Sequence, residues 1–447
     1  MSGLEPEDDL NMEEKIVPGG MLTHIGPVDI ARRLFRRARA CENSRSGKLR
    51  VHDYGYDWRL DPLYLSRRLI AFLEKLPCNQ PGTPKHNRGA TVIAHSLGGL
   101  ITRHAVNQRP DLFRGVLYAG VPTTCVNILG PLRNGDDVLL SSRVLTAQVN
   151  FTIRTSFALL PLDGKCFFNK ETKEEYPVDF FDVNNWIDYR WSPCIARPLP
   201  PLTAQPTGSI SGIISSMASV LPNFPSRKNS VSERARNIAD HPKTTAAEAS
   251  GIGAPGTMAS SEGAEAVEKG NIDIEGTDNE PGDHVNGAIG ANTGSEKESD
   301  YASASSVATT VTIPREKAIA YLTRTLANVK RFKQELDFRP SHSEHNRYPP
   351  ATVIYGKSTP TVFGAKVASR EAIKHADAYD ELAFASGDGV VLARAAMLPA
   401  GYQAVRGGIV SSDRGHVTLL GDLEAVGKCL CAINTARKRG VGLGNYD

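Results

Sequence analysis

Three residues that together could make an activated hydroxyl occur in a meaningful order along the 447-residue chain: Ser96, then Asp388, then His416. A serine hydroxyl is a weak nucleophile until a base within reach takes its proton. The base in turn needs a carboxylate to hold its tautomer and stabilise its charged form. Ser96 lies in Val92-Ile93-Ala94-His95-Ser96-Leu97-Gly98-Gly99, where a short apolar run gives way to a helical pattern. Small residues stand two positions to either side, Ala94 and Gly98. This is the strand–turn–helix elbow G-x-S-x-G with Ala in the first small position, a turn so tight that larger neighbours would collide. Such a turn holds Oγ out at the carboxyl edge of a sheet. It also aims the Leu97 backbone N–H, at a partly positive helix N-terminus, at the place where an oxyanion would form.

The second half of the chain supplies the acid and the base. Asp388 follows a predicted strand at residues 381–385 (ELAFA) in the turn Ser386-Gly387-Asp388-Gly389, and His416 lies in a loop just before a predicted final helix. The order Ser, acid, His is that of the α/β-hydrolase fold. His95 and His104 are too close to Ser96 in sequence to be the late base, and His342 and His345 precede Asp388. Asp380 and Asp413 are the rival acids.

The elements needed to position these groups are legible as alternating strand and helix patterns. Residues 28–40 read as a helix with Ile30, Ala31, Leu34, Phe35 and Ala38 on one face and five arginines largely on the rest, a plain solvated face, with an RNA- or lipid-binding stripe as the alternative. Residues 49–53 (LRVHD) read as a strand, 63–76 as a helix, 90–94 (ATVIA) as a buried strand, 97–107 as a helix and 114–120 as a strand. Residues 312–336 read as a helix capped by Thr312, and 351–355 (ATVIY) and 402–405 as strands; 422–437 close the chain as a helix. This alternation predicts an α/β protein with a doubly wound, mainly parallel sheet.

Composition divides the chain. Residues 1–14 read as a disordered acidic N-terminus, and 15–196 with 309–447 as one α/β-hydrolase domain. Between them, 197–308 reads as a mostly disordered low-complexity insertion, too poor in aromatics to offset the entropy of ordering. Within it, Ile210, Ile213, Ile214, Met217, Val220 and Leu221 recur near helical spacing, which predicts a weak interfacial helix over 209–221. The net charge of +3 does not point to nucleic acid. Seven cysteines without a CxxC pair argue against a disulfide framework or a zinc site and for a reducing compartment. An acidic start without an apolar core predicts no signal peptide, and no run reaches the ~20 apolar residues of a spanning helix. An intracellular protein, cytoplasmic or peripheral to a membrane, is expected.

Four segments resemble the lecithin:cholesterol acyltransferase family, which includes phospholipid:diacylglycerol acyltransferases and related phospholipases. They are Tyr56-Asp57-Trp58-Arg59; the Ala94-to-Gly99 elbow; Ile354-Tyr355-Gly356 with Thr359-Pro360-Thr361; and Gly387-Asp388-Gly389-Val390-Val391 followed by His416-Val417 and Leu419-Leu420. The resemblance covers both ordered blocks and skips the segment between. It implies a lipid ester as acyl donor and a Ser96–Asp388–His416 triad that passes an acyl group to water or an alcohol without metal or organic cofactor. The family also places a strand and a glycine-containing loop near its N-terminus, source of a second oxyanion donor and part of a lid. Here an acidic stretch stands in that place, and Val17-Pro18-Gly19-Gly20-Met21 is the segment that could imitate the loop, with Gly20 or Met21 as donor. Absence of the true loop is the expectation. Another serine esterase or thioesterase, or a catalytically weak hydrolase-fold scaffold, are the alternatives.

Overall fold

A computed structural model describes residues 4, 5, 7, 18–136, 145–196, 309–375 and 377–444. The interfacial helix expected over 209–221, the rest of the insertion and most of the acidic N-terminus lie outside the described residues. The ordered core is α/β, built on a four-stranded, fully parallel sheet: β1 (Ala90–His95), β2 (Phe113–Ala119), β4 (Ala351–Gly356) and β7 (Ala404–Ser412), hydrogen-bonded in that order. A second, three-stranded sheet pairs β3 (Phe167–Asn169) in parallel with β5 (Thr359–Val367), and β5 antiparallel with β6 (Leu382–Gly387).

The helices cover the parallel sheet because alternate strand residues point to opposite faces. On β2, Val116 and Tyr118 enter one core, with α2 (Pro62–Glu74), α3 (Leu97–Gln108) and α4 (Arg315–Glu335). Leu117 and Ala119 enter the other, with α5 (Leu423–Lys438) and residues just ahead of α1 (Arg32–Ala40). A strand buried on both faces has no polar alternation, which is why residues 115–119 (GVLYA) of β2 carry no charged side chain. Burying each large apolar side chain contributes roughly 1.5–3 kcal/mol. Asp61 and Asp422 cap α2 and α5 by accepting from Leu63 and Ala425 amides.

Several sequence expectations need correction. Residues 49–53 form no strand: the segment is anchored by side chains instead, with Asp53 Oδ1 accepting the Met21 N–H at 2.9 Å and the Tyr54 ring 4.7 Å from Phe72. A strand requires a ladder partner, which local pattern does not supply. Thr312 is not a helix cap; its amide and hydroxyl bond Gln148, and Pro314 heads α4. The strand preceding Asp388 belongs to the antiparallel pair β5–β6 rather than the parallel sheet.

On α4, Lys333 is buried, with Nζ donating to Ala158 O at 2.8 Å and Thr123 O at 3.3 Å. Burial, then the nearby Arg103 charge, pushes its pKa down to about 7. An unfolded lysine titrates near ~10.4, so the unfolded chain holds the extra proton between these values and stability rises with pH across that window. Below about pH 7 the full cost of the buried charge is present. The melting temperature of Lys333→Met relative to wild type is therefore expected to be most favourable near pH 6–7 and to lose that advantage toward pH 9–10. A difference independent of pH would exclude the buried charge as its source.

Candidate active site

Parallel strands deliver their carboxyl ends to one edge, and the expected groups gather there. Ser96 follows β1 directly, with φ 53° and ψ −132°. Positive φ at a residue bearing a Cβ costs on the order of 1–3 kcal/mol. The turn is held by the ladder, Ser96 N donating to Ala119 O at 2.9 Å, and by α3, Gly99 N donating to Ser96 O at 2.9 Å. The small residue that the packing demands is Gly99, since a Cβ there would overlap Val121. At Gly98, outside its own helix, the nearest atom to a Cβ would be Tyr56 Oη at 3.6 Å, so Gly99 is the tighter of the two.

Asp388, His416 and Ser96 form one hydrogen-bonded chain. His416 Nδ1 lies 2.9 Å from Asp388 Oδ2, and His416 Nε2 lies 2.9 Å from Ser96 Oγ. An ionised carboxylate only accepts, so Nδ1 carries the proton and Nε2 is left to accept from the serine hydroxyl. Asp388 and His416 are buried, while Ser96 is half-buried. Asp388 Oδ1 accepts from the amides of Val390 (3.0 Å) and Val391 (2.7 Å). Burial alone would push this carboxyl up; the charge and hydrogen bond of His416 and these two amides outweigh it and hold the pKa below its ordinary value.

His416 is clamped from three sides. Its own N–H donates to Asp388 O at 2.8 Å. Its carbonyl accepts from His95 Nε2 at 2.8 Å, with the two rings 4.9 Å apart. Ser412 Oγ, at the end of β7, donates to Asp422 Oδ2 at 2.7 Å, tying together the two ends of the segment that carries His416. Burial, then repulsion from His416, pushes His95 down to about 4, so it stays neutral beside His416.

Two glycines to which the sequence alone assigns no role make the space. A Cβ at Gly120, just after β2, would lie 3.0 Å from Asp388 Oδ2 and 3.1 Å from His416 Nδ1; one at Gly356, the end of β4, would lie 2.5 Å from Asp388 Cβ. Their position immediately after apolar strand runs was the available signal.

The rivals sit elsewhere. Asp380 is exposed, and Asp413 is exposed and accepts from Ser358 at 2.9 Å. His342 and His345 bond backbone carbonyls of Asn107 and Ser341. His104 joins a second Ser–His–acid chain, bonded to Ser66 Oγ and Glu335 Oε2 at 2.8 Å each, but Ser66 is fully buried inside α2, where no substrate reaches it. Of the two candidates for a second oxyanion donor, Met21 is excluded because its amide is given to Asp53, and Gly20 packs on the Asp53 carboxylate and Gly55.

No protein-family model matches the chain. It is similar to uncharacterized protein YJR098C of Saccharomyces cerevisiae. The two are 32% identical over 450 residues, an alignment that takes in 98% of this chain and 56% of the yeast protein. The chain thus spans little more than half the length of the curated relative it matches. Among the described residues, no helix is long and apolar enough to cross a membrane.

Proposed function

We propose that the chain is a serine acyl-transfer enzyme of the α/β-hydrolase fold acting on lipid esters. The observation that carries this reading is the unbroken chain Asp388–His416–Ser96, with both links at 2.9 Å, at the carboxyl edge of a parallel sheet. His416 Nε2 takes the Ser96 proton as Oγ attacks the ester carbonyl. The electron pair moves to the carbonyl oxygen, which the Leu97 N–H at the head of α3 stabilises in this reading. Collapse expels the alcohol, which takes the proton from His416, and leaves an acyl-serine. Water or a second alcohol then repeats the sequence in reverse. Asp388 keeps the imidazole in the productive tautomer and offsets its positive charge. The lipid class of substrate rests on the resemblance to the acyltransferase family.

A second reading, a triad-bearing scaffold with weak turnover, draws on Met21 having its amide tied to Asp53. Loss of one oxyanion donor costs about 10²–10³ in rate. A fluorophosphonate probe and an ester assay separate the two. Stoichiometric labelling of Ser96, absent in Ser96→Ala, with phospholipid turnover is expected of the enzyme. Failure of wild type to label would overturn it.

A further inference from the structure

Residues 32–50 hold eight basic residues against a single acid, Glu42, a local net charge of +7 in a chain whose total is +3. Arg32, Arg36, Arg37 and Arg39 of α1, with Arg45, Lys48 and Arg50 after it, are all exposed. This is more than a solvated helix face, because three of these arginines line a cleft. Arg32, Arg36 and Arg39, with Thr23, Phe35, Ala40 and Asp53, line an open cleft of about 580 Å³. Among the described residues none of the three makes an ion pair, although Arg39 lies over the Phe35 ring at 4.9 Å. The walls are tied by hydrogen bonds: Thr23 O accepts the amides of Ile30, Ala31 and Arg32, and Asp53 accepts the Met21 amide.

Exposed leucines accompany the charge. Leu22, next to Thr23 of the cleft, is 55% exposed, and Leu49, between Lys48 and Arg50, is 45% exposed. The apolar side of α1, Leu34 and Phe35, packs on the cluster that contains Val417, Leu419 and Leu420, in the turn that starts with His416. The basic face therefore lies on the outside of the element that backs the catalytic base.

We infer that the arginine cleft and its flanking leucines dock the protein on an anionic phospholipid surface. Guanidinium groups pair in a forked geometry with phosphate, and each basic residue near an anionic membrane adds affinity that salt screens. Nucleic acid would use the arginines but has no apolar layer for Leu22 and Leu49. The inference deepens the proposed reading, on which it rests for the lipid nature of the substrate, and its test needs no turnover.

The full chain is sedimented with vesicles of phosphatidylcholine alone and of phosphatidylcholine mixed with phosphatidylserine. Binding to the mixed vesicles is expected to be at least about tenfold tighter and to fall steeply with salt. Arg32→Gln/Arg36→Gln/Arg39→Gln is expected to lose that preference while still reacting with the fluorophosphonate probe; the exposed single change Arg36→Glu serves if the triple variant does not fold. Ser96→Ala is expected to bind like wild type, so failure of the catalytic reading leaves the binding result intact. Equal binding to both vesicles, unchanged binding by the arginine variants, displacement by inorganic phosphate at millimolar concentration, or tighter binding to RNA than to vesicles would each overturn the inference.

Discussion

Replacing Ser96 or His416 by Ala, or Asp388 by Asn, is expected to lower ester turnover by about 10³-fold or more without unfolding the chain. The Asp388→Asn result follows from two sets of hydrogen bonds. Asp388 Oδ1 accepts from the Val390 and Val391 amides, so the asparagine oxygen stays on that side. Its NH₂ then faces His416 Nδ1, which must become an acceptor and move its proton to Nε2. Nε2 would donate toward Ser96 and could no longer take the serine proton. The fold should persist, since the change is isosteric and keeps both amide bonds. Because the residues act as one unit, Ser96→Ala/His416→Ala is expected to be little worse than either single variant. A multiplicative loss would show two independent contributions. Undiminished turnover by Asp388→Asn would remove it as the acid.

The second large effect is expected at a residue without a side chain. Gly120 has φ +54°, and an Ala Cβ there would press on Asp388 Oδ2, on Leu419 Cδ2 (3.0 Å) and on His416 Nδ1. The left-handed backbone costs a side chain roughly 1–2 kcal/mol. Displacement of the acid–base pair by a fraction of an ångström to about 1 Å accounts for about 10²-fold in kcat. Gly120→Ala should therefore fold, melt slightly lower and lose kcat with KM nearly unchanged. Gly356→Ala is the harsher comparison. Its Cβ would meet backbone as well, Asp388 Cα at 3.0 Å and Arg414 O at 3.1 Å, so a loss of melting temperature should accompany its loss of rate. Full kcat in Gly120→Ala would mean that the pair has room to move and that its packing is not what positions it.

The chain by itself determined the α/β alternation, the strand–turn–helix around Ser96 and the identity of Asp388 and His416 as partners. The reason is physical. A parallel strand covered on both faces carries few polar side chains, as in residues 351–355; residues 90–94 read the same way but form an edge strand of the described sheet, half-buried and with Thr91 exposed. Amphipathic helices repeat near every 3.6 residues, as in α4 and α5, and the order Ser, acid, His is the one that an α/β-hydrolase pattern leads one to expect. What depended on contacts between distant residues was decided only in three dimensions. Residues 49–53 alternate like a strand, yet their anchoring is Met21 on Asp53, 32 residues apart. The sequence predicts a sheet strand ahead of Asp388, but which sheet that strand joins is a pairing choice, and β6 pairs with β5. Gly99 rather than Gly98 is the tight glycine because Val121 stands across from it, and Gly120 and Gly356 matter because the acid–base pair, brought from 28 residues apart by its own hydrogen bond, rests on both. The arginines of α1 are plain in the sequence as a stripe. That three of them face one cleft, on the helix that backs the His416 turn, is a consequence of packing alone.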